Sequence, residues 1–491
     1  MRTTEHVPVV IVGAGPAGLA TAVSLARSGV ESLLVERRPE LSALPRATVL
    51  STRSMELLRS WGLEEEILAT AVDVEWVGWQ SETLAAAPSG APFPVGYPTR
   101  EQSAVISPSA PACVAQDQLE PLLLAHLRSL GPARTALGTE VLDVGADAEG
   151  ARAVLRDVRT GSTRVVRAQY LVAADGAHSV VRRALRIPMR GPDRLAQAVS
   201  ALFRAPLWEL LGAHRHGIYF VTHPVGHGTF LPAGHGDRWL YGVLLEAGAE
   251  RVEDYTAEQF ARLIRAGAGA PDLELRIERT GAFTFAAQLA DRFRQGAAFL
   301  IGDAAHRVTP RGGTGLNTAF RDGHDLGWKL SWVLRGWAGD ELLDSYEAER
   351  RPVAEHNVAR SADPNGSVRE AAEELHADLG GRLPHVWLPS GGPRVSTLDL
   401  LGRGLTLFTG PGNRAWAEAA AAVHGALPLD VRELSPLTAR AMGIRGGGAL
   451  LARPDATPAG WWPHPAGAAR ALRAAIAAAL AGAPAAERDA A

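Results

Sequence analysis

Residues 7–36 read VPVVIVGAGPAGLATAVSLARSGVESLLVE, and this stretch sets the architecture of the N-terminal region. A continuous apolar run, 7–12, opens onto three closely spaced glycines, and apolar residues then recur at helical spacing to about Gly29. A second apolar run ends at Glu36. The change from a continuous run to a period of about 3.6 residues and back is typical of a parallel sheet with a crossover helix. The stretch therefore predicts a β-α-β unit.

The glycines of this unit, Gly13, Gly15 and Gly18, predict a dinucleotide site. Glycine lets the backbone turn tightly and approach a pyrophosphate closely, while the following helix offers free N–H groups and the positive end of its dipole. Glu36 ends the second strand, where a carboxylate can accept hydrogen bonds from ribose hydroxyls. Because a carboxylate there disfavours a 2′-phosphate, the residues favour FAD or NAD over NADP at this site.

Composition and charge restrict the classes of function. Hydrophobic residues make up 46% and charged residues 21% of the 491 residues, as in globular proteins, with room for about three domains. Fifty Lys and Arg stand against 53 Asp and Glu, a net charge of −3, so we expect no nucleic-acid partner. The single cysteine, Cys113, excludes an internal disulfide and a cysteine-rich zinc site, and we expect no metal.

The two ends of the sequence bear on location. The first apolar run is too short for a signal peptide. The alanine-rich stretch 466–485 is interrupted by Arg470 and Arg473, and its larger apolar residues recur every fourth position, which predicts a surface helix and no membrane span. Together with the single cysteine, these features lead us to expect a cytoplasmic protein.

Two further stretches combine a strand with a special turn: 170–183, YLVAADGAHSVVRR, and 299–317, FLIGDAAHRVTPRGGTGLN. The first alone indicates a buried strand that ends in an Asp175-Gly176 turn, with Ser179 able to cap a helix. In the second, Asp303 follows a strand and can accept a hydrogen bond from a sugar-like hydroxyl. Its glycines remove side chains from a loop that can lie against a flat ring.

The helix predicted to begin near Leu316 points its N-terminus at that ring, and the helix dipole favours negative charge there. A reduced flavin is negatively charged around its pyrimidine edge. The pattern therefore suits a flavin better than a nicotinamide.

The three motifs, in this order and spacing, resemble those of the single-component FAD-dependent aromatic hydroxylases, a group that includes para-hydroxybenzoate, phenol and polyketide-tailoring hydroxylases. The resemblance covers most of the chain and implies tightly bound, non-covalent FAD. The residues it implies for FAD are Gly13, Gly15, Pro16, Ala17, Gly18, Glu36, Arg37, Arg46, Gln116, Asp175, Gly176, Gly302, Asp303, Pro310, Gly313, Gly315, Leu316 and Asn317.

Within that set, the resemblance implies that the first glycines and Glu36 hold the ADP half of FAD. Asp175 and Gly176 belong to a fingerprint linked to both FAD and NADPH, Asp303 holds the ribityl chain, and residues 310–317 line the isoalloxazine. Arg46 and Pro310 are expected near the ring, although Arg46 alone would be interpreted as a surface cation. Arg53 is a further candidate for flavin contact, and His306 is interpreted as structural.

The predicted fold is α/β. A Rossmann-like FAD-binding domain comprises 1–75, 111–185 and 290–375, and an antiparallel substrate-binding domain comprises 76–110 and 186–289. Residues 376–491 resemble the thioredoxin-like tail of the larger hydroxylases, here without a CxxC motif, so dithiol chemistry is excluded. Residues 456–463, ATPAGWWP, replace the short glycine turn and strand expected there.

The resemblance implies that NADPH reduces FAD, that O2 forms a flavin 4a-hydroperoxide, and that this hydroxylates an aromatic or polycyclic polyketide-like molecule or, less often, inserts oxygen into a ring. No protein nucleophile is required. By residue type, Tyr219, His223 and Tyr241 are the candidates for substrate contact. The alternatives are a related FAD dehydrogenase or halogenase, or a flavoprotein that stabilises an intermediate without turnover. We expect a monomer or homodimer.

Overall fold

The structure is a computed structural model that describes residues 4–245, 251–389, 392–423 and 425–482. Residues 1–3 and 483–491, which the sequence analysis assigns to the first and last domains, lie outside the described residues. The strands are β1 Thr4–Val12, β2 Ser32–Glu36, β3 Val49–Leu50, β4 Val77–Ser81, β5 Ala91–Pro94, β6 Ala112–Cys113, β7 Ala133–Leu137, β8 Thr139–Ala146, β9 Ala151–Asp157, β10 Thr163–Ala173, β11 Met189–Arg190, β12 Ala196–Arg204, β13 Tyr219–Val221, β14 Gly228–Pro232, β15 Arg238–Leu244, β16 Arg276–Phe285, β17 Gln288–Ala290, β18 Arg294–Gln295, β19 Ala298–Leu300, β20 His306–Arg307, β21 Leu405–Thr409, β22 Leu429–Glu433, β23 Ala449–Ala452 and β24 Pro458–Trp462.

The helices are α1 Pro16–Arg27, α2 Thr52–Ser60, α3 Glu64–Leu68, α4 Arg100–Ile106, α5 Gln116–Ser129, α6 Val180–Ala184, α7 Leu207–Leu211, α8 Ala257–Ala268, α9 Gly315–Leu334, α10 Asp344–Ala362, α11 Ala371–Leu379, α12 Arg414–Ala421, α13 Pro436–Ala441 and α14 Ala468–Leu480. Among the described residues, none of them is long and apolar enough to cross a membrane.

The first sheet has the strand order β18-β19-β10-β1-β2-β7. Strands β19, β10, β1, β2 and β7 run parallel to one another, whereas β18 is antiparallel to β19, and α1 crosses from β1 to β2. The strands are apolar without alternation because both faces of a parallel sheet are covered. The structure confirms the β-α-β unit predicted from residues 7–36.

Local sequence patterns predict two elements of this region wrongly. The stretches 164–168 and 170–174 predict separate strands, but the structure has one strand, β10, across most of both, since neither glycine nor proline separates them. The pattern over 46–63 predicts a single helix, but the helix is confined to α2. Its start is set by Ser51, whose side chain accepts a hydrogen bond from the Ser54 N–H and so caps the helix.

The second sheet has the order β16-β12-β15-β14-β13-β4-β5 and is antiparallel except between β13 and β4. One face carries buried residues of alternate strand positions, such as Val199, Phe230 and Tyr241, which pack against α7 and α8. The opposite face carries Ser200 and Leu240 and is only partly buried. The sheet takes strands from two distant stretches of sequence, 77–94 and 196–285.

The third sheet has the order β22-β21-β23-β24, with β21 and β22 parallel and β23 antiparallel to both of its neighbours. With α12 after β21, α13 after β22 and α14 after β24, this is the thioredoxin-like topology. Although residues 456–463 replace the expected glycine turn and strand in the sequence, residues 458–462 form a strand, β24. The turn before it has Ala456 at φ 63°, a conformation that glycine usually adopts.

Helix α9 connects the first and third sheets. Its tryptophans Trp328 and Trp332 lie in one core with Leu405 and Leu407 of β21, and the Trp332 indole N–H donates to the Arg403 carbonyl at 2.9 Å. These two tryptophans therefore serve core packing. The mixed α/β fold predicted from the sequence is confirmed as a whole.

Candidate cofactor site

The carboxyl ends of neighbouring parallel strands meet at one edge of the first sheet. Val12 of β1 is paired with Val35 of β2 and Ala173 of β10, and Ala173 is paired with Leu300 of β19. Residues that directly follow these strands therefore lie side by side, as ligand-binding loops do in open α/β sheets. The structure thus brings together the three sequence motifs: Gly13–Gly18 with Glu36, then Asp175–Gly176, and then Gly302–Asp303.

The three glycines of the first turn serve two different purposes. A Cβ on Gly18 would lie 2.0 Å from the Gly13 carbonyl oxygen, and one on Gly13, at φ 107°, would lie 2.3 Å from the Ala174 oxygen. Around Gly15, in contrast, no described atom lies within 4 Å of such a Cβ. Gly13 and Gly18 are required by packing, whereas Gly15 leaves space above the N-terminus of α1, which Pro16 and the buried Ala17 begin.

Glu36 lies beside this turn. One carboxylate oxygen accepts from the Ala14 N–H at 3.0 Å and the other from the Arg38 N–H at 3.0 Å. The side chain is half-buried, and Arg37 next to it is exposed. The carboxylate is therefore held at the rim of the glycine turn, where sugar hydroxyls of a dinucleotide would lie.

A second polar group at this edge comes from the start of α5. The Gln116 side-chain N–H donates to Glu120 at 2.7 Å, and the Gln116 backbone N–H donates to the Ala47 carbonyl at 2.8 Å. Burial raises the pKa of the Glu120 carboxyl to about 7, although the Gln116 hydrogen bond and the Arg46 charge oppose the shift. Arg46 itself is exposed and acts electrostatically on both Glu120 and Asp303.

Asp175 has one carboxylate oxygen engaged and one without a partner. Oδ2 accepts from the Val180 and Val181 N–H groups at 2.7 and 3.1 Å, at the N-terminus of α6. Oδ1 is buried and accepts no hydrogen bond from the part of the chain that the structure describes. Burial raises the pKa of this carboxyl. An orphaned buried acceptor is costly, so this oxygen fits a ligand donor. Gly176 follows at φ 78°.

Asp303 lies in the short 3-10 turn that follows β19, and the residue is exposed to solvent. Desolvation by the surrounding protein raises the pKa of its carboxyl, and the nearby His306, Arg307 and Arg46 oppose this shift. Gly302 before it has φ 58°, and a Cβ there would lie 3.3 Å from the Ala17 Cβ. The turn therefore packs directly against α1.

His306 lies beneath this turn and is fully buried. Its Nε2 is 2.6 Å from Asp322 Oδ2, and Asp322 Oδ1 accepts from Arg350 Nε at 2.8 Å. The Gly302 N–H also donates to Asp322 at 3.1 Å. Burial opposes ionisation, but His306 and Arg350 hold the pKa of Asp322 below its usual value. These contacts support the structural interpretation of His306. Sequence reasoning missed Asp322 and Arg350. The only indication of their role in the sequence is that each is a charged residue on the buried face of a helix.

The glycine loop 310–315 begins at the exposed Pro310. Gly312 and Gly313 have φ values of 80° and 64°, so both adopt a conformation that favours glycine. Their carbonyls point into the protein, where the Tyr97 hydroxyl lies 3.3 Å from the first and 3.0 Å from the second. Tyr97 was not among the residues predicted from the sequence, because an isolated tyrosine in an irregular segment gives no signal.

The loop leads into α9, whose first residues are Gly315 and the buried Leu316. No side chain among the described residues caps this helix, so its first N–H groups remain available to a ligand. The Asn317 side chain is not available, since its Oδ1 accepts from the Ser51 N–H at 2.8 Å and its Nδ2 donates to the Gly313 carbonyl at 3.2 Å. The side chain of Asn317 thus holds the loop, and only its backbone N–H, in the first turn of α9, remains for a ligand.

Two of the predicted substrate residues are wrong. Tyr219 and Tyr241 have no exposed surface, and their hydroxyls donate at 2.7 Å to the carbonyls of His214 and His227. A buried side chain whose polar atom is already paired offers nothing to a ligand. His223 is half-buried, and its Nδ1 accepts from the Val225 and Gly226 N–H groups in a turn, so its role as a substrate contact stays a prediction.

Arg53 is also not a flavin contact. Its guanidinium is buried, pairs with Glu56 at 2.8 Å, and donates to the Asp455 carbonyl of the third sheet at 2.6 Å. This arginine therefore joins α2 to the C-terminal domain. A sequence pattern does not distinguish such a contact from a cofactor contact, because both require a buried cation near the same helix.

The glycine loop also contacts the second sheet. The Arg311 guanidinium lies 5.2 Å from the centre of the Phe285 ring, at the end of β16. The loop is therefore a neighbour of the second sheet at the end of β16. A flat cofactor ring against the loop would have this part of the second sheet nearby.

Comparison with known proteins agrees with this geometry. Residues 6–361 match the family model described as FAD binding domain, and residues 376–484 match the model described as aromatic-ring hydroxylase, C-terminal. The chain is 34% identical to the tetracenomycin A2 monooxygenase-dioxygenase of Streptomyces glaucescens, covering 92% of this chain and 93% of that protein. It is 36% identical to an aklavinone 12-hydroxylase of Streptomyces peucetius subsp. caesius, covering 85% and 94%.

Among solved structures, a ternary complex of aklavinone-11 hydroxylase with FAD and aklavinone superimposes with a TM-score of 0.87 at 33% identity, covering 98% of this chain and 100% of that chain. The family model covers well over half of the chain, and the relatives span nearly its whole length. The fold agrees with these matches, and the chain belongs to the FAD-dependent aromatic-ring hydroxylases.

Proposed function

We propose that this chain is an NADPH-dependent FAD monooxygenase that hydroxylates an aromatic, polycyclic polyketide-like molecule. The observation that carries the proposal is that the Gly302 turn packs against the start of α1, while Arg311 of the glycine loop that follows lies over Phe285 of the second sheet. The relatives named above act on or bind polycyclic aromatic compounds, as their names state. Hydroxylation is the first expectation, and oxygen insertion into a ring is the second.

The residues present fit FAD. The open space at Gly15 accommodates a pyrophosphate at the N-terminus of α1, and Glu36 is placed for a ribose. Asp303 is placed for a polyol chain, and the unpaired Oδ1 of Asp175 accepts one ligand donor. When bound, FAD supplies electron transfer from the nicotinamide cofactor and the activation of O2.

The chain's own task at the ring is to position the flavin and to stabilise negative charge on it. The free N–H groups at the start of α9 and its dipole favour negative charge near the pyrimidine edge of a flavin. Gly312 to Gly315 carry no side chains, so a flat ring can lie directly against the backbone. No residue here needs to act as a nucleophile.

The substrate is proposed to lie between the loop and the partly buried face of the second sheet. Leu240 and Phe285 contribute apolar surface to this face or its margin, and Ser200 is a small polar residue on it. An apolar floor with few polar groups suits a flat polycyclic ring system and excludes water from the reacting atoms. His223, in the turn between β13 and β14, remains a candidate at the margin of the sheet.

The test begins with the purified chain and its flavin content. NADPH and NADH oxidation are then measured with a panel of tricyclic and tetracyclic aromatic polyketides under 18O2. We expect stoichiometric FAD, oxidation of NADPH that a panel member accelerates, and a product heavier by one labelled oxygen atom. Absence of FAD overturns the proposal. FAD binding without a labelled product from any panel member favours a flavoprotein without turnover.

The remaining proposals concern assembly and domain limits. We propose a cytoplasmic monomer or homodimer, which light scattering of the purified protein distinguishes. We also propose that the domains divide as 1–75, 111–185 and 290–375, then 76–110 and 186–289, then 376–491. Limited proteolysis near residue 376 tests the last of these limits.

A further inference from the structure

Helix α11 lies where the chain passes from the first domain into the C-terminal domain, and it carries a carboxylate, Asp378, at the N-terminus of α2. The Ser51 hydroxyl donates to Asp378 Oδ1 at 2.6 Å, and the Arg53 backbone N–H donates to Oδ2 at 3.1 Å. The side chain is only 17% exposed. A carboxylate at this position stabilises the helix end, because the first N–H groups of α2 have no partner within the helix.

From Ser51 a path of hydrogen bonds leads to the glycine loop. The Ser51 N–H donates to Asn317 Oδ1 at 2.8 Å, and Asn317 Nδ2 donates to the Gly313 carbonyl at 3.2 Å. Ser51 and Asn317 are 2% and 4% exposed. Asp378 is therefore connected to Gly313 through the hydroxyl and backbone N–H of Ser51 and the side chain of Asn317, although Asp378 and Gly313 are far apart in sequence.

A second path from the same helix reaches the neighbouring carbonyl. Glu374 of α11 forms a buried ion pair with Arg360 at the end of α10. The Arg360 guanidinium donates to the Gly312 carbonyl at 3.4 Å. A Cβ at Gly312 would lie 2.1 Å from this guanidinium, so the loop backbone rests directly on the arginine.

Arg369, two residues before α11, also holds the segment that carries Tyr97. The Arg369 N–H donates to the Pro94 carbonyl at 3.0 Å, and the Gly96 N–H donates to the Arg369 carbonyl at 2.7 Å. The next residue, Tyr97, places its hydroxyl 3.0 Å from the Gly313 carbonyl. All three routes to the loop carbonyls thus begin in or next to α11.

We propose that α11 positions the glycine loop against the flavin, with Asp378 and Glu374 as positioning residues that act through Asn317 and Arg360. The loop needs such support because two consecutive glycines at positive φ have little conformational preference of their own. With both carbonyls held inside the protein, the loop N–H groups and the end of α9 face the cofactor. This inference rests on the proposed function only in that FAD lies against the loop.

The test uses two isosteric variants of the full-length holoenzyme, Asp378→Asn and Glu374→Gln. Each removes a charge from a buried hydrogen bond, and we expect the FAD dissociation constant to rise by roughly tenfold. We also expect a shifted flavin absorption spectrum, a lower flavin reduction potential as the helix end moves away, and more hydrogen peroxide released per NADPH oxidised. The KM for the aromatic substrate should stay unchanged in Asp378→Asn, since the hydrogen bonds of Asp378 go to Ser51 and to the start of α2.

The matched control is Asp399→Asn. Asp399 also joins α2 to the C-terminal domain, through Arg59 at 2.9 Å, but it is on neither path to the loop. We expect this variant to keep the wild-type spectrum, potential and peroxide yield. A change of the same size in Asp399→Asn would mean that any weakening of the domain contact suffices, and would overturn the inference.

Tyr97→Phe is the fallback where either carboxylate variant fails to fold, because it removes a single hydroxyl. It should raise the peroxide yield and shift the flavin spectrum in the same direction. Wild-type values of potential and peroxide yield in all variants that fold overturn the inference. A wild-type protein that binds no FAD overturns the proposed function instead, so the two failures are distinguishable.

Discussion

Arg453 of the third sheet and Glu349 of α10 form a two-pronged ion pair, with N–O distances of 2.6 and 2.9 Å. Lys329 lies 2.8 Å from the same carboxylate and 2.9 Å from Asp325, and Asp455 pairs with Arg453 at 2.5 Å. The charges of the two domains are thus joined in one largely buried network. Asp325, Glu349 and Asp455 lie close enough together to hold a cation, but Lys329 and Arg453 already form ion pairs with them.

Replacing Arg453 should destabilise the protein strongly. Removal of one partner from a buried ion pair leaves the other charges uncompensated, and we expect Arg453→Met to lower the free energy of unfolding by about 3 kcal/mol. Chemical denaturation measures the effect. Arg432→Gln is the control, because its 3.8 Å pair with Asp430 is about half exposed and should matter by less than about 0.5 kcal/mol. Equal effects of the two substitutions would contradict this account of the interface.

Glu120 should make stability depend on pH. Burial raises its pKa in the folded protein to about 7, above its value in the unfolded chain. The folded state therefore binds the proton more tightly, so the stabilisation is complete below about pH 4 and is lost as the pH rises through 7. From pH 5 to 8 the free energy of unfolding should fall by up to about 3 kcal/mol more in the wild type than in Glu120→Gln. Denaturation curves of both proteins at each pH give the difference, and parallel pH profiles would refute the assignment.

Gly15 and Gly18 should respond to alanine in opposite ways. Gly15 has an ordinary φ of −78° and free space around it, so Gly15→Ala should fold normally but bind FAD at least tenfold more weakly, because its methyl group enters the pyrophosphate space. Gly18→Ala should lose stability, because its Cβ would lie 2.0 Å from the Gly13 oxygen. Flavin content after gel filtration and thermal melting separate the two effects. A Gly15→Ala protein that keeps all of its FAD would contradict the position assigned to the pyrophosphate.

Tyr219 and Tyr241 should affect stability and not substrate binding. Phenylalanine at either position leaves a buried carbonyl without its donor and should cost about 1 kcal/mol of stability. The KM for an accepted aromatic substrate should remain that of the wild type. A severalfold change in KM for Tyr241→Phe would restore it as a substrate residue. The same kinetic measurement on His223→Ala tests the candidate that remains.

Local patterns in the sequence predict where the motifs of the cofactor side lie. The turn at Gly13–Gly18 and Asp303 come after strands, Glu36 ends a strand, and the parallel order of the strands brings them to one edge. What supports them was not predictable, since Asp322 and Tyr97 act through contacts between residues distant in the chain. A single buried charge or an isolated tyrosine carries no periodic signal that would reveal such a partner.

The substrate side failed for a different reason. The alternation of side chains in β13 and β15 assigns residues to the two faces of each strand. It does not predict which face packs against helices and which face lies towards the cofactor. Tyr219 and Tyr241 are on the face covered by α7 and α8, so their type suggested a role that their position excludes. Likewise, residues 456–463 lack the usual glycine turn, yet pairing with β23 is enough to make them a strand.

Helix α9 has a consequence for engineering. Its first turn borders the proposed flavin position, and its tryptophans, roughly 20 to 25 Å further along the helix, form part of the core of the third sheet. The C-terminal domain is therefore not a detachable module. An exchange of tails between hydroxylases has to transplant residues 315–334 together with residues 376–482, so that each recipient domain keeps the indole surface it packs against.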